Sequence, residues 1–153
     1  MAYEAKDVAE WFLSKEAMSP KKIQKMIYYA YSWFLTFYNE TEDNLRNRLF
    51  NDKIEAWVHG PVIPSIYHAY KDRGYTDIDK INQDLDSKFD KETLDVLNQV
   101  YEVYGGYNGN ELESITHQES PWINAREGLD VLDSSNEVIS DSDIFECYSA
   151  RLG

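Results

Sequence analysis

Cysteine is almost absent: Cys147 stands alone in a chain of 153 residues. A single thiol excludes an internal disulfide and any CxxC metal motif, and it fits a reducing cytoplasm, where a buried structural thiol is its ordinary role. Positive charge is scarce too. Fifteen Lys and Arg face 28 Asp and Glu, a formal charge of -13, so a phosphate backbone would be repelled unless the basic residues were strongly segregated. No apolar run is long enough to span a bilayer, because the longest, Met26 to Tyr38, contains Ser32, Thr36 and four tyrosines. The opening Met-Ala-Tyr-Glu-Ala-Lys-Asp has neither a basic nor an apolar export region. Nucleotide and nucleophile motifs are also lacking. Gly105-Gly106 and Gly109 are not followed by Gly-Lys-Ser/Thr, and Ser65, Ser114 and Ser120 sit on no strand-to-helix elbow.

What the chain does contain is a globular balance, 42% hydrophobic and 14% aromatic, at a length suited to a single domain over 1–153. Charge is unevenly spread. Residues 1–38 carry five lysines against four carboxylates, whereas residues 127–153 carry seven carboxylates against Arg151 alone. That acidic segment is either a solvated surface or a feature that steers a basic protein partner.

Apolar spacing predicts a mostly helical fold. Val8 and Phe12 mark a first helix over 5–15. Ser19-Pro20 reads as an N-cap with proline at the first helical position, opening a helix to about Tyr38 with Ile23, Met26, Ile27, Ala30, Phe34 and Phe37 as its buried stripe. Lys21, Lys22 and Lys25 cluster in its first turns, where positive charge opposes the helix dipole. They form either an exposed basic face or a seat for an acidic group from elsewhere. Tyr28, Tyr29, Tyr31 and Trp33 cannot all face one core, so some are exposed or meet another element.

Residues 39–48 read as a polar loop, and Ile54, Ala56 and Val58 as a short strand that Gly60-Pro61 stops. A helix carrying Val62, Ile66, Ala69 and Tyr70 follows, ended by Gly74. After a polar connection over 75–88, a helix runs from Lys91 to Tyr104. Asn108 with Glu111 forms a capping box for a further short helix. Ser120-Pro121 caps another, with Trp122 and Ile123. Val138-Ile139 is a short strand or an extended entry to a last helix, capped by Ser140 or Ser142. The expected class is mainly α: a compact single-domain helical bundle with at most a small two-stranded β element.

The three histidines, His59, His68 and His117, offer no HExxH pair. His59, His117 and Glu119 are the one set that would suit proton transfer or zinc, and so a small metal-dependent hydrolase. Otherwise these imidazoles bond to backbone at turns or touch a partner, and no cofactor or metal is expected.

Three segments carry a family resemblance. Ile23-Gln24-Lys25-Met26-Ile27-Tyr28-Tyr29-Ala30 resembles the Leu-Gln-Lys-Leu-Leu-Tyr-Tyr-Ala-type block of the SocA-like or Panacea antitoxin domain. Glu55 to Tyr67, with Trp57, His59, Gly60, Pro61 and Val62, is similar to its Ala-Trp-x-x-Gly-Pro-Val block. Val103-Tyr104-Gly105, Leu112, Thr116-His117 and Pro121-Trp122 resemble the third. The likeness covers about residues 5–125; the polar stretch 39–48 is longer than the family pattern, and residues 126–153 match loosely, so partner choice is expected there. The resemblance implies a cytoplasmic bacterial or phage protein that is not an enzyme. Such a protein neutralises a cognate protein toxin by direct binding, in the SocA type by delivery to the ClpXP protease, and in GepA-type phage proteins it acts without an assured toxin. It further implies Lys25, Tyr28, Tyr29, Trp57, His59, Gly60, Pro61, His117, Pro121 and Trp122 as motif or partner-binding positions, with no nucleic acid and no membrane involved.

Overall fold

The computed structural model describes residues 2–152. Local signals start each helix. In α1 (Ala5–Leu13) the Asp7 carboxylate accepts from the Glu4 N–H, and Val8, Ala9, Trp11, Phe12 and Leu13 are buried. Ser19 caps α2 (Pro20–Phe37), its hydroxyl accepting from the Lys22 N–H at 3.1 Å. Asp90 caps α4 (Lys91–Tyr104) through the Thr93 N–H at 2.7 Å, and the Asn108/Glu111 capping box opens α5 (Gly109–Thr116) as its spacing predicts. A short helix α6 (Ser120–Ala125) follows. Its N-cap position is Glu119 rather than Ser120, with Pro121 inside the first turn. Ser140 caps the last helix, α7 (Asp141–Ser149).

The organising element is α2, which is packed by α1, α3 (Pro64–Tyr70), α4, α5 and α7 around its circumference. A helix enclosed on most sides can bury residues at every angle, and this resolves the crowded aromatics: Tyr28, Tyr29 and Tyr31 are all buried and Trp33 is half-buried. Each ring taken from water contributes about 2–3 kcal/mol, so this helix supplies much of the stabilisation. Phe34 is only half-buried and Phe37 exposed, because the stripe drifts off the core near the C-terminus of α2. Ala69 and Ile123 also face out, on the solvent sides of α3 and α6.

Gly60-Pro61 does not stop the strand; it turns it. β1 (Glu55–Trp57) and β2 (Gly60–Val62) form an antiparallel hairpin in which Ala56 faces Pro61 and Trp57 faces Gly60. Gly60 adopts φ 110°, a conformation open to glycine, which sends the chain back. Proline is tolerated beside β1 because Ala56 sends its hydrogen bonds the other way. Its N–H donates to the Glu137 carbonyl at 2.9 Å, and its carbonyl accepts from Arg126 at 3.0 Å. Residues 137–139 therefore run along the outer edge of β1 as the extended entry to α7, with Ile139 N–H donating to Ile54 O.

The 75–88 connection is less polar in its role than in its composition: Ile78 and Leu85 are buried, and Ile78 bridges to Met18. Seven α-helices and this one two-stranded sheet make up the regular structure of the described residues, together with two 3-10 turns. No helix among them is long and apolar enough to cross a membrane.

Candidate partner-binding groove

The three lysines at the start of α2 are not an exposed basic face. Lys21 pairs with Glu113 at 2.7 Å and donates to Asn110. Lys22 is buried, donating to the Gly105 carbonyl at 2.7 Å and reaching Glu16 at 3.3 Å. Acidic and carbonyl groups from distant segments thus answer the charge that the helix dipole opposes.

Lys25 is a different case. It is 1% exposed, and among the described residues its Nζ has one hydrogen-bond partner, the Pro61 carbonyl at 3.3 Å. Desolvation lowers its pKa to about 7, with Glu113 acting the opposite way and Lys21 reinforcing the fall. Its stem lies against Gly60 so closely that a Cβ there would stand 2.6 Å from Lys25 Cε and 3.0 Å from Thr116 Oγ1. Gly60 is therefore required twice, by its φ and by the lysine it covers. Gln24 completes the clamp: its amide donates to the Ile63 carbonyl and accepts from the Ile63 N–H at 2.8 Å. Sequence reasoning placed Gln24 in a motif without assigning it this role.

Above this floor the hairpin carries Trp57 and His59. The Trp57 indole donates to Glu55 at 2.9 Å, and its ring meets Tyr67 at 5.0 Å. His59 is exposed, with Nδ1 3.2 Å from Glu113. Desolvation acts to raise Glu113, yet Lys21 and His59 hold it below the usual carboxylate value. Behind the hairpin Trp122 donates to the Trp57 carbonyl at 2.8 Å, and His117 stacks on Trp122 with centroids 3.9 Å apart. Desolvation lowers the His117 pKa, which favours its neutral imidazole. Its Nε2 is buried without a partner among the described residues. Pro121 is buried in the first turn of α6.

Glu119 does not join these histidines. Its buried carboxylate accepts from Tyr29 at 2.7 Å, Tyr148 at 2.9 Å and Arg151 at 2.6 Å, while Tyr28 and Tyr148 hydroxyls meet at 3.1 Å. Tyr29 stacks on Tyr104 at 3.9 Å. Burial and the Glu119 charge push the Tyr29 and Tyr148 hydroxyls well above their usual range. Tyr28 and Tyr29 are thus part of a latch that holds α7, not surface contacts. The His59/His117/Glu119 hydrolase site is not assembled. Among the described residues no group of three or more His, Cys, Asp or Glu is placed to hold a metal.

Of the positions singled out by sequence, Lys25, Trp57 and His59 meet at one place: a groove of about 500 Å³ between the start of α2, the hairpin and α3. Gly60 and Pro61 build its wall from behind, and Pro121 and Trp122 buttress the hairpin. The groove continues to Tyr67, Tyr70 and Tyr75; Tyr67 closes the second family block and Tyr70 lies on the predicted helical stripe, but neither was given a partner role, and Tyr75 was not singled out. Nothing local marked that role, since their nearness to Trp57 comes from the return of β2 into α3.

Fold and site together define a helical scaffold that presents an aromatic-lined groove. The family model described as Antitoxin SocA-like, Panacea domain, matches residues 23–123, and the chain belongs to that family. This makes it an antitoxin-like protein, a class whose partner is another protein. No curated protein and no solved structure matches the chain.

Proposed function

We propose that this chain neutralises a cognate protein toxin by direct binding, with the groove beside the hairpin as its contact surface. The observation that supports this most is the position of two exposed aromatic side chains, Tyr67 at 43% and Tyr75 at 98% exposure, at a groove lined by the family-motif residues Lys25, Trp57 and His59. Large rings that stand in water beside a concave, mostly apolar wall are the usual anchors of a protein interface. The net charge of -13 steers a basic partner toward the molecule at long range.

Co-expression with the reading frame adjacent to the gene tests this reading. Growth is expected to be restored, the two proteins to co-purify, and the Tyr67→Ala/Tyr75→Ala variant to lose both while its melting temperature stays within a few degrees. A harmless neighbour with no recoverable complex would overturn the proposal and turn attention to a host protein as the partner. Repeating the growth assay in cells lacking a ClpXP-type protease separates occlusion from delivery: rescue that persists supports occlusion.

A further inference from the structure

The walls of the groove differ in charge from the rest of the molecule. The chain has 28 carboxylates, and none of them lines this groove. Lys21, Lys25, Lys71 and His59 do. Lys71 is exposed, with no carboxylate within ion-pair distance among the described residues. Two carboxylates touch groove residues from outside it: Glu113, already shared between Lys21 and His59, and Glu55, which accepts from the Trp57 indole. Asp72 is next to Lys71 in sequence but does not line the groove.

The geometry points to an anionic, apolar segment of the partner as the occupant: a short stretch of protein bearing Asp or Glu beside an aromatic or large aliphatic side chain. This rests on the toxin-binding reading of the same groove. The ring wall of Trp57, Tyr67, Tyr70 and Tyr75 takes the apolar group, and Lys71 takes the carboxylate, since Lys21 is already paired with Glu113. A partner can satisfy both fields at once, with a basic body drawn by the overall charge and an acidic anchor that fits the groove. A phosphate backbone fits less well, because a polyanion meets the full negative field of the chain whereas a few carboxylates meet mainly the local lysines.

The test is selection of random phage-displayed peptides on the immobilised full chain, with counter-selection on the Tyr67→Ala/Tyr75→Ala variant. Enriched peptides are expected to carry net negative charge and at least one large apolar side chain. Their binding is expected to fall at least tenfold in the double variant and about fivefold in Lys71→Glu. A basic or neutral consensus, binders indifferent to these substitutions, no enrichment, or tighter binding of a single-stranded oligothymidylate would each overturn the inference. The toxin assay separates the two levels. Rescue retained by Lys71→Glu sinks the acidic anchor but leaves toxin binding standing, whereas no rescue by the unaltered chain removes the reading beneath it.

Discussion

Lys25 should make the stability of this protein depend on pH in a window where few other groups titrate. In the folded chain its pKa is about 7, lowered chiefly by burial; in the unfolded chain a lysine titrates near ~10.4. Between those values the unfolded state holds a proton that the native state has released, so stability rises with pH. At pH 7 the native lysine is about half charged, and by pH 9 it is almost wholly neutral, which integrates to a gain of about 2 kcal/mol over those two units. His117 is shifted down by desolvation, away from this window. The buried tyrosines, pushed up by burial, act only where unfolded tyrosine ionises, near pH ~10.

Urea unfolding followed by tryptophan fluorescence at pH 7, 8 and 9 reads this directly. The same series on Lys25→Met removes the titration while keeping a side chain of similar length. The variant should be flat across the window, and at pH 7 more stable than the parent by about 1–3 kcal/mol, because the relieved cost of deprotonating a buried lysine, about 4 kcal/mol from the same two pKa values, exceeds that of leaving Pro61 O unpaired. A parent whose stability does not change from pH 7 to 9, or a Lys25→Met variant that keeps the parent's slope, would refute a buried neutral lysine at this position.

Gly60→Ala should cost about 2–4 kcal/mol in the same assay, since it combines a positive φ with a Cβ 2.6 Å from Lys25 Cε; a loss below 1 kcal/mol would mean the hairpin shifts freely. Glu119→Gln keeps an acceptor for Tyr29 and Tyr148 but removes the charge opposite Arg151, and should destabilise by about 1–3 kcal/mol. Hydrogen exchange should show the amides of α7 opening first, and uniform protection loss would count against a local latch. Tyr67→Ala/Tyr75→Ala should cost about 1–2 kcal/mol, from the Tyr67 ring packed on Trp57, while abolishing growth rescue, because Tyr75 is almost wholly in water; a loss above about 3 kcal/mol would assign these rings a packing role instead.

The helix starts were legible because their signals are local. Ser19-Pro20 and the Asn108/Glu111 pair satisfy orphan N–H groups within one turn, whatever the rest of the chain does. The hairpin was not legible from its own residues. Gly60 and Pro61 are compatible with a stop or a turn, and the choice was made by Ala56, whose hydrogen bonds go to Glu137 and Arg126 some 70 to 80 positions later. Lys25 was hidden for the same kind of reason. A lysine in the first turns of a helix is ordinarily solvated, and only the return of Pro61 and Thr116 over it makes it buried. Family resemblance found the right positions around the groove, but it pooled groove residues such as Trp57 and His59 with core residues such as Tyr28 and Tyr29, which physical reading of the structure separates.

That separation bears on where specificity can vary. The matched span, residues 23–123, holds most of α2 and the hairpin, yet α2 is covered on one side by α1 and on another by α7, both outside the match. Glu119, inside the span, reaches Tyr148 and Arg151 outside it, and Tyr31 donates to Asp141 at 2.6 Å. The 39–48 loop meets the same end of α7, with Ser142 donating to Glu42 and Arg48 pairing with Asp141 at 2.7 Å. The 39–48 loop and the start of α7 are therefore neighbours in space, away from the groove, while α7 itself is held on α2 by buried Ile144 and Tyr148 as well as by these polar contacts. A fold arranged this way can change its acidic, outlying face, and with it the long-range attraction for a partner, without disturbing the Lys25–Gly60 packing that shapes the groove.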